Sequence, residues 1–415
     1  MVEEKKNIPK VRFREFAGDD ANAWELRKFG DILEFSVPNN NLSRSKLNYT
    51  NGNVKNVHYG DILVKFDSIL NADNPQIPYI NENETKNYGK DLLIDGDIVI
   101  ADTAEDETTG KAVEIYGTKN TAIVSGLHTI VARTKIKFAS YYLGYYMNSY
   151  SYHKQLLPLM QGIKVLSLSK ANISKTILCY PKILKEQQKI GTIFKHIDSL
   201  ITLHQRELDN YKTLKKTMLS KMFPKNDEKY PEIRFTGFAD AWELRKLGEV
   251  KDVRDGTHSS PKYLESGYPL VTSKNLTDSG IDMSNVSLIS SKDFEEINKR
   301  SKVEVGDIIF GMIGTIGNPV ILDRDDFAIK NVALLKNKGV VINSFLIYLI
   351  KSNIFGKYIY SEMSGGTQKF LSLNQIRSFT FLTPNVSEQQ QIGTLFKQLD
   401  SLITLHQRRA IKGLI

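Results

Sequence analysis

The stretch EQQKIGTIFKHIDSLITLHQR at residues 186–206 returns as EQQQIGTLFKQLDSLITLHQR at residues 388–408, and only four of the 21 positions differ. A near-copy of this length within one chain indicates an internal repeat. A second pair lies upstream, where AWELRK at residues 23–28 returns at residues 241–246. The sequence therefore predicts two halves of about 200 residues, each with a lead-in, a variable body and a helical close.

The repeated stretch has the apolar spacing of a long packed helix. From residue 186 onward, the positions of one seam alternate at intervals of four and three residues, which is the heptad pattern of a helix packed against another long helix. The predicted packing positions are Ile190, Phe194, Ile197, Ile201 and Leu208 in the first copy and Ile392, Phe396, Leu399 and Ile403 in the second. We expect the two helices to lie antiparallel within one chain, because duplicated helices meet there at high effective concentration. Pairing of the same seams between two chains is the alternative.

The two helices are predicted to differ in length. The first continues to about residue 223, where Pro224 breaks it. The second copy loses its periodic apolar pattern between Arg409 and Ile415. An antiparallel pair of these helices is therefore expected to be lopsided.

The variable bodies differ almost completely in sequence but share a plan. Gly-Asp followed by apolar residues predicts a tight turn that leads into a buried strand, and it occurs at residues 60–63, 96–99 and 306–309. Helices are expected over residues 140–147 and 344–351. Short β-rich runs broken by Asn, Gly and Ser surround them. Each body is therefore predicted to be a mixed α/β globule.

Charge and cysteine content restrict the partner and the compartment. The formal charge of +9 favours a polyanionic partner such as nucleic acid, because neutralised phosphates release counterions. A single cysteine, Cys179, excludes an internal disulfide framework and a cysteine-rich zinc site. The N-terminus has no apolar segment typical of a secretory signal, and no apolar run approaches the length of a membrane span. We expect a cytoplasmic protein with no membrane contact.

The sequence motifs of catalysis are missing. There is no Asn/Asp-Pro-Pro-aromatic element of an adenine methyltransferase and no Gly-x4-Gly-Lys-Ser/Thr loop for ATP. Asp255 and His258 are interpreted as parts of a capped turn near DNA rather than an acid–base pair. His204 and His406 fall on the helical seam, where packing or partner docking is preferred to metal binding. No catalytic residue, no metal and no bound cofactor are therefore expected in this chain.

Polar loops within the two bodies are the predicted DNA contacts. Direct reading of bases uses Arg or Lys toward guanine and Asn or Gln toward adenine, while basic and hydroxyl groups hold phosphates. The candidates in the first body are Asn41, Arg44, Lys46, Gln161 and Lys164. Those in the second body are Arg254, Thr257, His258, Lys274, Asn275, Thr367, Gln368 and Lys369. The loops at Gln161-Gly162 and Gly365-Gly366 occupy corresponding places before Leu-Ser-Leu, which favours a shared task.

These features together resemble the specificity subunit of type I restriction-modification systems, over almost the whole chain. The resemblance rests on two variable bodies closed by paired helices and on Glu-Gln-Gln-x-Ile-Gly after Pro181 and Pro384. The second body adds Asp-Gly-Thr-His-Ser-Ser-Pro at residues 255–261, and Gly-Asp-Ile at 306–308 leading to Gly-Thr-Ile-Gly at 314–317. The short final helix departs from the family's usual second arm.

The resemblance implies an α+β protein with two target-recognition domains, separated by long antiparallel coiled-coil helices, and an internal pseudo-twofold repeat. The expected parts are a first recognition domain at residues 1–185, a central helix at 186–223, a second recognition domain at 224–387 and a short terminal helix at 388–415. Each recognition domain would read one half of a bipartite, asymmetric target in double-stranded DNA.

The resemblance also implies partners. Two adenine methyltransferase subunits would dock on the helices, and ATP-driven restriction subunits would join through them, as a host defence. S-adenosylmethionine, ATP and Mg²⁺ are expected on those partners. Two alternatives stay open on the sequence alone: a self-contained DNA modification enzyme with a related recognition domain, and a coiled-coil scaffold with no role at DNA.

Overall fold

A computed structural model describes residues 7–17, 23–84, 87–225, 228–278, 280–363 and 370–412, and for residues 409–412 it describes the backbone alone. The chain divides into two units, Met1–Leu200 (unit 1) and Ile201–Ile415 (unit 2). Among the described residues, no helix is long and apolar enough to span a bilayer.

In its described part, unit 1 contains a five-stranded sheet, a four-stranded sheet, two two-stranded sheets and short helices. Its strands are β1 (Glu25–Lys28), β2 (Leu33–Glu34), β3 (Leu47–Asn48), β4 (Lys55–Val57), β5 (Ile69–Asn71), β6 (Tyr79–Ile80), β7 (Ile98–Ala101), β8 (Thr103–Ala104), β9 (Ala112–Tyr116), β10 (Ile123–Ser125), β11 (Thr129–Thr134), β12 (Leu166–Ser167) and β13 (Ile177–Tyr180). Its helices are α1 (Phe29–Ile32), α2 (Tyr59–Val64), α3 (Tyr142–Met147), α4 (Tyr150–His153) and α5 (Lys170–Ile173), and α6 (Leu184–Lys221) begins here and ends in unit 2.

The main sheet of unit 1 has the strand order β2-β11-β7-β9-β5, and a second sheet has the order β10-β4-β6-β3. Strand β7 shows why the main sheet is buried on both faces, since successive side chains of a strand point to opposite faces. Ile98 and Ile100 belong to the apolar cluster that contains Tyr142 of α3. Val99 and Ala101 belong to the cluster that contains Ile62 of α2.

Unit 2 repeats this plan with different strands around it. Its strands are β14 (Glu243–Lys246), β15 (Val253–Asp255), β16 (Tyr268–Thr272), β17 (Leu276–Thr277), β18 (Gly280–Ile281), β19 (Ser287–Ile289), β20 (Ile308–Gly311), β21 (Gly317–Ile321), β22 (Ala328–Lys330), β23 (Val332–Leu335) and β24 (Thr380–Thr383). Its helices are α7 (Leu247–Val250), α8 (Ser291–Ser301), α9 (Asn343–Lys351), α10 (Asn353–Met363), α11 (Leu373–Ser378) and α12 (Val386–Lys412). The antiparallel sheet β15-β23-β20-β21 corresponds to β2-β11-β7-β9 of unit 1. The predicted α+β fold with an internal repeat is confirmed.

Two of the three Gly-Asp turns are confirmed and the third is wrong. Gly96 and Gly306 both have φ of 89°, and the carboxylates of Asp97 and Asp307 close the turns that lead into β7 and β20. The pair at residues 60–61 lies inside α2 instead. There the His58 side chain accepts from the Gly60 N–H and caps the helix, so the same dipeptide begins a helix. The helices expected over residues 140–147 and 344–351 are present as α3 and α9.

The long helices pair antiparallel within unit 2. Lys215 Nζ of α6 lies 2.5 Å from Asp400 of α12, whereas the ring of Tyr211, one turn earlier in α6, lies 5.4 Å from the ring of His406. Residue numbers therefore rise along α6 as they fall along α12, as predicted for pairing within one chain. Buried or half-buried packing positions in this pair are Ile201, Leu208, Ile392, Phe396, Leu399 and Ile403.

The predicted seam is not buried over the whole of α6. In unit 1, Ile190 packs against the core beside α3. Phe194 and Ile197 remain 46% and 38% exposed, although the Phe194 ring lies 5.4 Å from that of Tyr145. A heptad pattern identifies an apolar face, but it does not say which part of that face is covered. Here residues 184–200 contact their own unit.

Candidate nucleic-acid interface

A buried ion pair ties the lead-in of each unit to the start of its long helix. In unit 2, Arg234 donates twice to the Glu388 carboxylate, both at 2.7 Å, and the Trp242 indole N–H donates to it at 3.4 Å. This hydrogen bonding raises the pKa of Arg234. A buried carboxylate needs such partners to remain charged. The same contacts in unit 1 join Glu186 to Arg12 and Trp24.

The next residues of the repeat fix the direction of the helix. The Gln389 amide donates to the Pro384 carbonyl and accepts from the Ile342 N–H, both at 2.9 Å. At Gly393 an added Cβ would lie 2.7 Å from the Ser344 carbonyl oxygen, so only glycine permits this approach of α12 to α9. The matching residues in unit 1 are Gln187, Pro181, Ala139, Gly191 and Ser140. We call the Arg, Trp, Glu, Gln and Gly of each unit its anchor.

The anchors explain the repeated sequence. The motif Glu-Gln-Gln-x-Ile-Gly, which the two halves share, has a physical role in each unit. In the structure every one of these side chains except the second Gln is buried or half-buried against its own unit. The repeat therefore holds two unlike bodies on their helices in the same way, and the loops of each body remain free to differ.

In unit 1, a basic and aromatic cluster surrounds the predicted residue Arg44. Arg44 donates to Asp61 at 2.7 Å and to the Tyr49 hydroxyl at 3.3 Å, and the hydrogen bond to Asp61 raises its pKa. Lys65 donates to the same hydroxyl at 2.9 Å and forms an ion pair with Asp61. Among the neighbouring candidates Asn41 is exposed, and Lys46 is exposed and paired with Glu84. Lys65 and Tyr49 were missed, since nothing in their spacing places them beside Arg44.

The second predicted loop of unit 1 is a tight hairpin. Gln161 and Ser167 exchange backbone hydrogen bonds at 3.0 and 2.8 Å. Between them Ile163 is 99% exposed, and Gln161 and Lys164 are exposed as well. An apolar side chain held fully in solvent at a hairpin tip has no packing role within unit 1.

Asp102 and His128 connect the two loops of unit 1. The Leu168 N–H, just after the hairpin, donates to the Asp102 carbonyl at 2.8 Å. The Asp102 carboxylate lies 3.5 Å from His128 Nδ1, and the His128 ring lies 5.2 Å from that of Tyr59. Tyr59 in turn stacks on His58, the residue beside Arg44. A continuous series of contacts therefore joins the hairpin to the Arg44 cluster.

In unit 2, His258 lies in a network around a buried aspartate. His258 Nε2 is 2.9 Å from Asp255, and its Nδ1 is 3.0 Å from the Asn331 side chain. Arg300 pairs with the other oxygen of Asp255. Arg254 is held by Asp252, whose hydrogen bonds raise the pKa of the guanidinium. The Asp255–His258 contact thus belongs to a loop-fixing network.

The remaining predicted residues of unit 2 divide into exposed and buried ones. Thr257 is half-buried, and its hydroxyl accepts from the Ser259 N–H at 3.1 Å. Lys274 is exposed on a short 3-10 turn. Asn275 is buried, and its amide accepts from Thr272 and donates toward residues 282 and 285, so it holds that turn in place. Lys274 is the member of this pair that can reach a ligand.

Three predicted residues, Thr367, Gln368 and Lys369, lie outside the described residues, as does Gly365-Gly366. The two residues that follow this loop, Phe370 and Leu371, are described. Phe370 bridges Ile313 of the glycine-rich hairpin between β20 and β21, and the Leu371 N–H donates to the Met312 carbonyl at 2.9 Å. Leu168 donates to Asp102 in the same way in unit 1. These contacts pair Leu371 with Leu168, two residues later than the Leu166 that the shared Leu-Ser-Leu had placed opposite it, and the correspondence of the two loops stays a prediction.

The comparisons with known proteins agree with this architecture. The sequence model described as "Type I restriction modification DNA specificity domain" matches residues 22–211 and 239–412. A putative type I restriction enzyme MjaX specificity subunit from Methanocaldococcus jannaschii is 23% identical, and the match covers 97% of this chain and 92% of that protein. The MjaVIII specificity subunit from the same organism is 24% identical over 54% of this chain and 56% of that protein.

Solved structures resemble the chain as well. The crystal structure of a type I restriction-modification S subunit from M. genitalium has a TM-score of 0.51 at 12% sequence identity. That match covers 96% of this chain and 94% of the other.

Proposed function

The chain belongs to the family of type I restriction-modification DNA specificity domains, and on that premise we propose that each unit reads one half of a bipartite, asymmetric DNA target. As a specificity subunit the chain recognises DNA and assembles with the other subunits of its complex, and it is not itself catalytic. The alternatives of a self-contained enzyme and of a scaffold without a DNA role are thereby removed. The domain boundaries of the proposal are 1–185 and 224–387 for the recognition domains, and 186–223 and 388–415 for the helices.

One observation carries the proposal: two equivalent anchors hold two bodies whose loops differ in sequence. A symmetric target would require like side chains at like places. Here the exposed hairpin of unit 1 presents Gln161, Ile163 and Lys164, whereas the corresponding loop of unit 2 has Gly-Gly-Thr-Gln-Lys at residues 365–369. Because direct reading depends on the donors and acceptors presented to base edges, unlike loops favour unlike half-sites.

Within each unit we propose a division of labour among the candidates. Arg44, Lys46, Lys65 and Lys164 in unit 1 are placed to hold phosphates, since they are exposed and basic. Arg254, His258, Lys274 and Arg300 do so in unit 2, and Asn41, Gln161 and Gln368 are the amide groups proposed to read adenine. Thr257, Thr367 and Lys369 are the remaining proposed contacts to DNA. Asn275 is proposed to act indirectly, because its hydrogen bonds hold the turn that carries Lys274.

We further propose that the helices receive two adenine methyltransferase subunits, through which restriction subunits join. The support is an exposed apolar surface on α6, where Ile193, Phe194, Ile197, Leu200 and Leu203 are each 38–54% exposed. Contiguous exposed apolar residues on a helix are typical of a protein interface. S-adenosylmethionine, ATP and Mg²⁺ are assigned by the same proposal to those partners.

The decisive experiment maps methylated adenines across the genome of cells that carry or lack this gene, together with its methyltransferase partner. The expected result is one gapped motif with two different halves that appears only with the gene. A continuous or palindromic motif would refute the two-unit reading. The mass of the purified complex tests the partner count, since two methyltransferase copies are expected for each chain.

A further inference from the structure

Two histidines and a glutamate meet where α6 and α12 pack in unit 2. His204 Nδ1 lies 3.3 Å from Glu207 Oε2, and His406 Nδ1 lies 3.2 Å from the same oxygen. One donor atom from each of the three residues lies within 4.8 Å of the other two. Two imidazole nitrogens and a carboxylate oxygen are thus directed to one small volume between the helices.

Within the described part of the chain, the buried ring of His406 has an unsatisfied polar atom where the two helices pack. The residue is 6% exposed, and its buried Nδ1 atom has no hydrogen-bond partner among the residues that the structure describes, because its contact with Glu207 does not have hydrogen-bond geometry. The Tyr211 ring lies 5.4 Å from the His406 ring on α6. A buried ring nitrogen with no partner is uncommon in folded proteins and needs an explanation.

The separation of each histidine nitrogen from Glu207 suits a tetrahedral metal ion. Ligand atoms about 2.0–2.1 Å from a zinc ion stand about 3.4 Å from each other in a tetrahedron. The separations of 3.3 and 3.2 Å between the histidine nitrogens and Glu207 Oε2 are close to that value. We propose that His204, Glu207 and His406 bind one divalent transition-metal ion, with zinc as the best fit, and that the ion joins α6 to α12.

The internal repeat explains why the two histidines meet, and Glu207 explains why the sequence favoured packing over metal binding for His204 and His406. His204 and His406 are the same position of the two copies, so an antiparallel pair brings them together, with ring centroids 5.4 Å apart. Glu207 has no counterpart, because Arg409 occupies its place in the second copy. The ligands are 199 residues or more apart along the chain except for His204 and Glu207, and a pair spaced by three residues gives little signal.

The site does not depend on the DNA-reading proposal. Its ligands lie on α6 and α12 in the described part of unit 2 and are not among the proposed DNA contacts, and three protein ligands leave the fourth position to water. Bound to two helices at once, the ion would stabilise their pairing. Metal binding requires neutral imidazoles and therefore weakens as the pH falls and releases protons.

The test uses the full chain after treatment with a chelator, titrated with Zn²⁺ by calorimetry and with Co²⁺ by visible absorption. We expect one ion per chain, a Co²⁺ spectrum of a tetrahedral site and a higher Tm with Zn²⁺. His406→Gln and Glu207→Gln should each weaken binding at least about tenfold. Glu207 is half-exposed, so its variant remains informative even if loss of the buried His406 impairs folding.

His196→Gln is the matched control. His196 is exposed on α6, and glutamine is the residue that the second copy carries at the same position. This variant should bind Zn²⁺ as the wild type does. If the wild type binds no ion, or if Glu207→Gln and His196→Gln bind with equal affinity, the proposed site does not exist.

Discussion

His128 and Asn331 occupy the same position in the two units, and both hold a left-handed backbone, with φ of 53° and 59°. His128 immediately precedes β11, and Asn331 immediately precedes β23. The carbonyl of each accepts an N–H from the residue that follows the neighbouring strand: Asp102 after β7, or Met312 after β20. A non-glycine residue in this conformation costs about 1 kcal/mol or more and is found most often where function requires it. The Asn331 side chain bonds to the candidate residue His258, and the His128 side chain contacts Asp102 and Tyr59, which lie between the hairpin of unit 1 and the Arg44 cluster.

Replacing Asn331 with glycine should therefore separate stability from recognition. Glycine adopts the left-handed conformation freely, so the free energy of unfolding should change by less than about 1 kcal/mol. Loss of the Asn331 contact leaves His258 held by Asp255 alone, and binding to the half-site of unit 2 should weaken by about 1–3 kcal/mol. Denaturant unfolding and gel shifts on targets altered in one half measure the two effects. His128→Gly should do the same for the other half-site, and equal loss at both halves from either variant would contradict separate reading.

The loop of residues 365–369 offers a second test of separate reading. Changing Gln368 and Lys369 together to alanine should weaken or relax recognition of one half-site and leave the other unchanged, because base and phosphate contacts are local. Methylation of a library randomised in each half would show this directly. Lys164→Ala in unit 1 is the matched change, and it should act on the opposite half. The same outcome from both variants, or none from either, would argue against the assignment.

The length of α6 is expected to set the gap between the half-sites. Seven residues inserted after Leu200 keep the heptad phase and leave the pairing of residues 201–221 with α12 intact. At about 1.5 Å per residue the insertion adds about 10 Å, or about three base pairs of 3.4 Å. Selection of methylated targets with variable gaps would reveal the preferred spacer. An unchanged preference would mean that the helix does not act as a spacer.

The anchor of unit 2 should contribute strongly to stability. Arg234→Met leaves the buried Glu388 carboxylate without its cation, and loss of one partner from a buried pair costs about 3–5 kcal/mol. Arg245→Met on β14 removes a cation whose partner Glu243 is exposed, and it should cost less than about 1 kcal/mol. Chemical unfolding of the two variants compares them. Similar losses would show that burial of Glu388 is not important.

Glu114 gives unit 1 a pH dependence. Its carboxylate accepts from the backbone N–H groups of Tyr141 and Gly144, but burial raises its pKa from 4.5 to about 7. Because the pKa of Glu114 is higher in the folded state than in the unfolded chain, the folded state binds the proton more tightly. This contribution to stability is fully present below the unfolded-state pKa and is lost as the pH rises through the folded-state pKa. Unfolding should thus become easier by about 3 kcal/mol between about pH 4.5 and pH 8 through this group. Glu114→Gln should flatten that slope, and an unchanged slope would assign it to other groups.

The sequence was most informative where a pattern repeats along the chain. The duplication predicted two units and two pairing helices, and heptad spacing predicted Leu208 and Phe396 as packing positions. It was less informative where a contact joins distant segments. The Gly-Asp pair at residues 60–61 was misassigned because the His58 side chain caps the N-terminus of α2, so the dipeptide lies in the first turn of a helix. Asp102, His128 and Asn331 were missed because their roles depend on strands that meet only after folding.

The anchors have a consequence for how such a protein can change. Their charged and aromatic members lie in the lead-in and in the helix, on either side of the variable body, so a new body could be spliced between them without rebuilding the joint. The insert must supply backbone atoms for the helix to contact, and one tyrosine, Tyr348 or Tyr145, which binds Asp400 or Asp198. It must also supply apolar side chains that pack on the anchor, as Phe345 packs on Trp242. How a body is mounted and what it recognises can therefore vary independently, which makes exchange of whole cassettes between related chains a low-cost route to new targets.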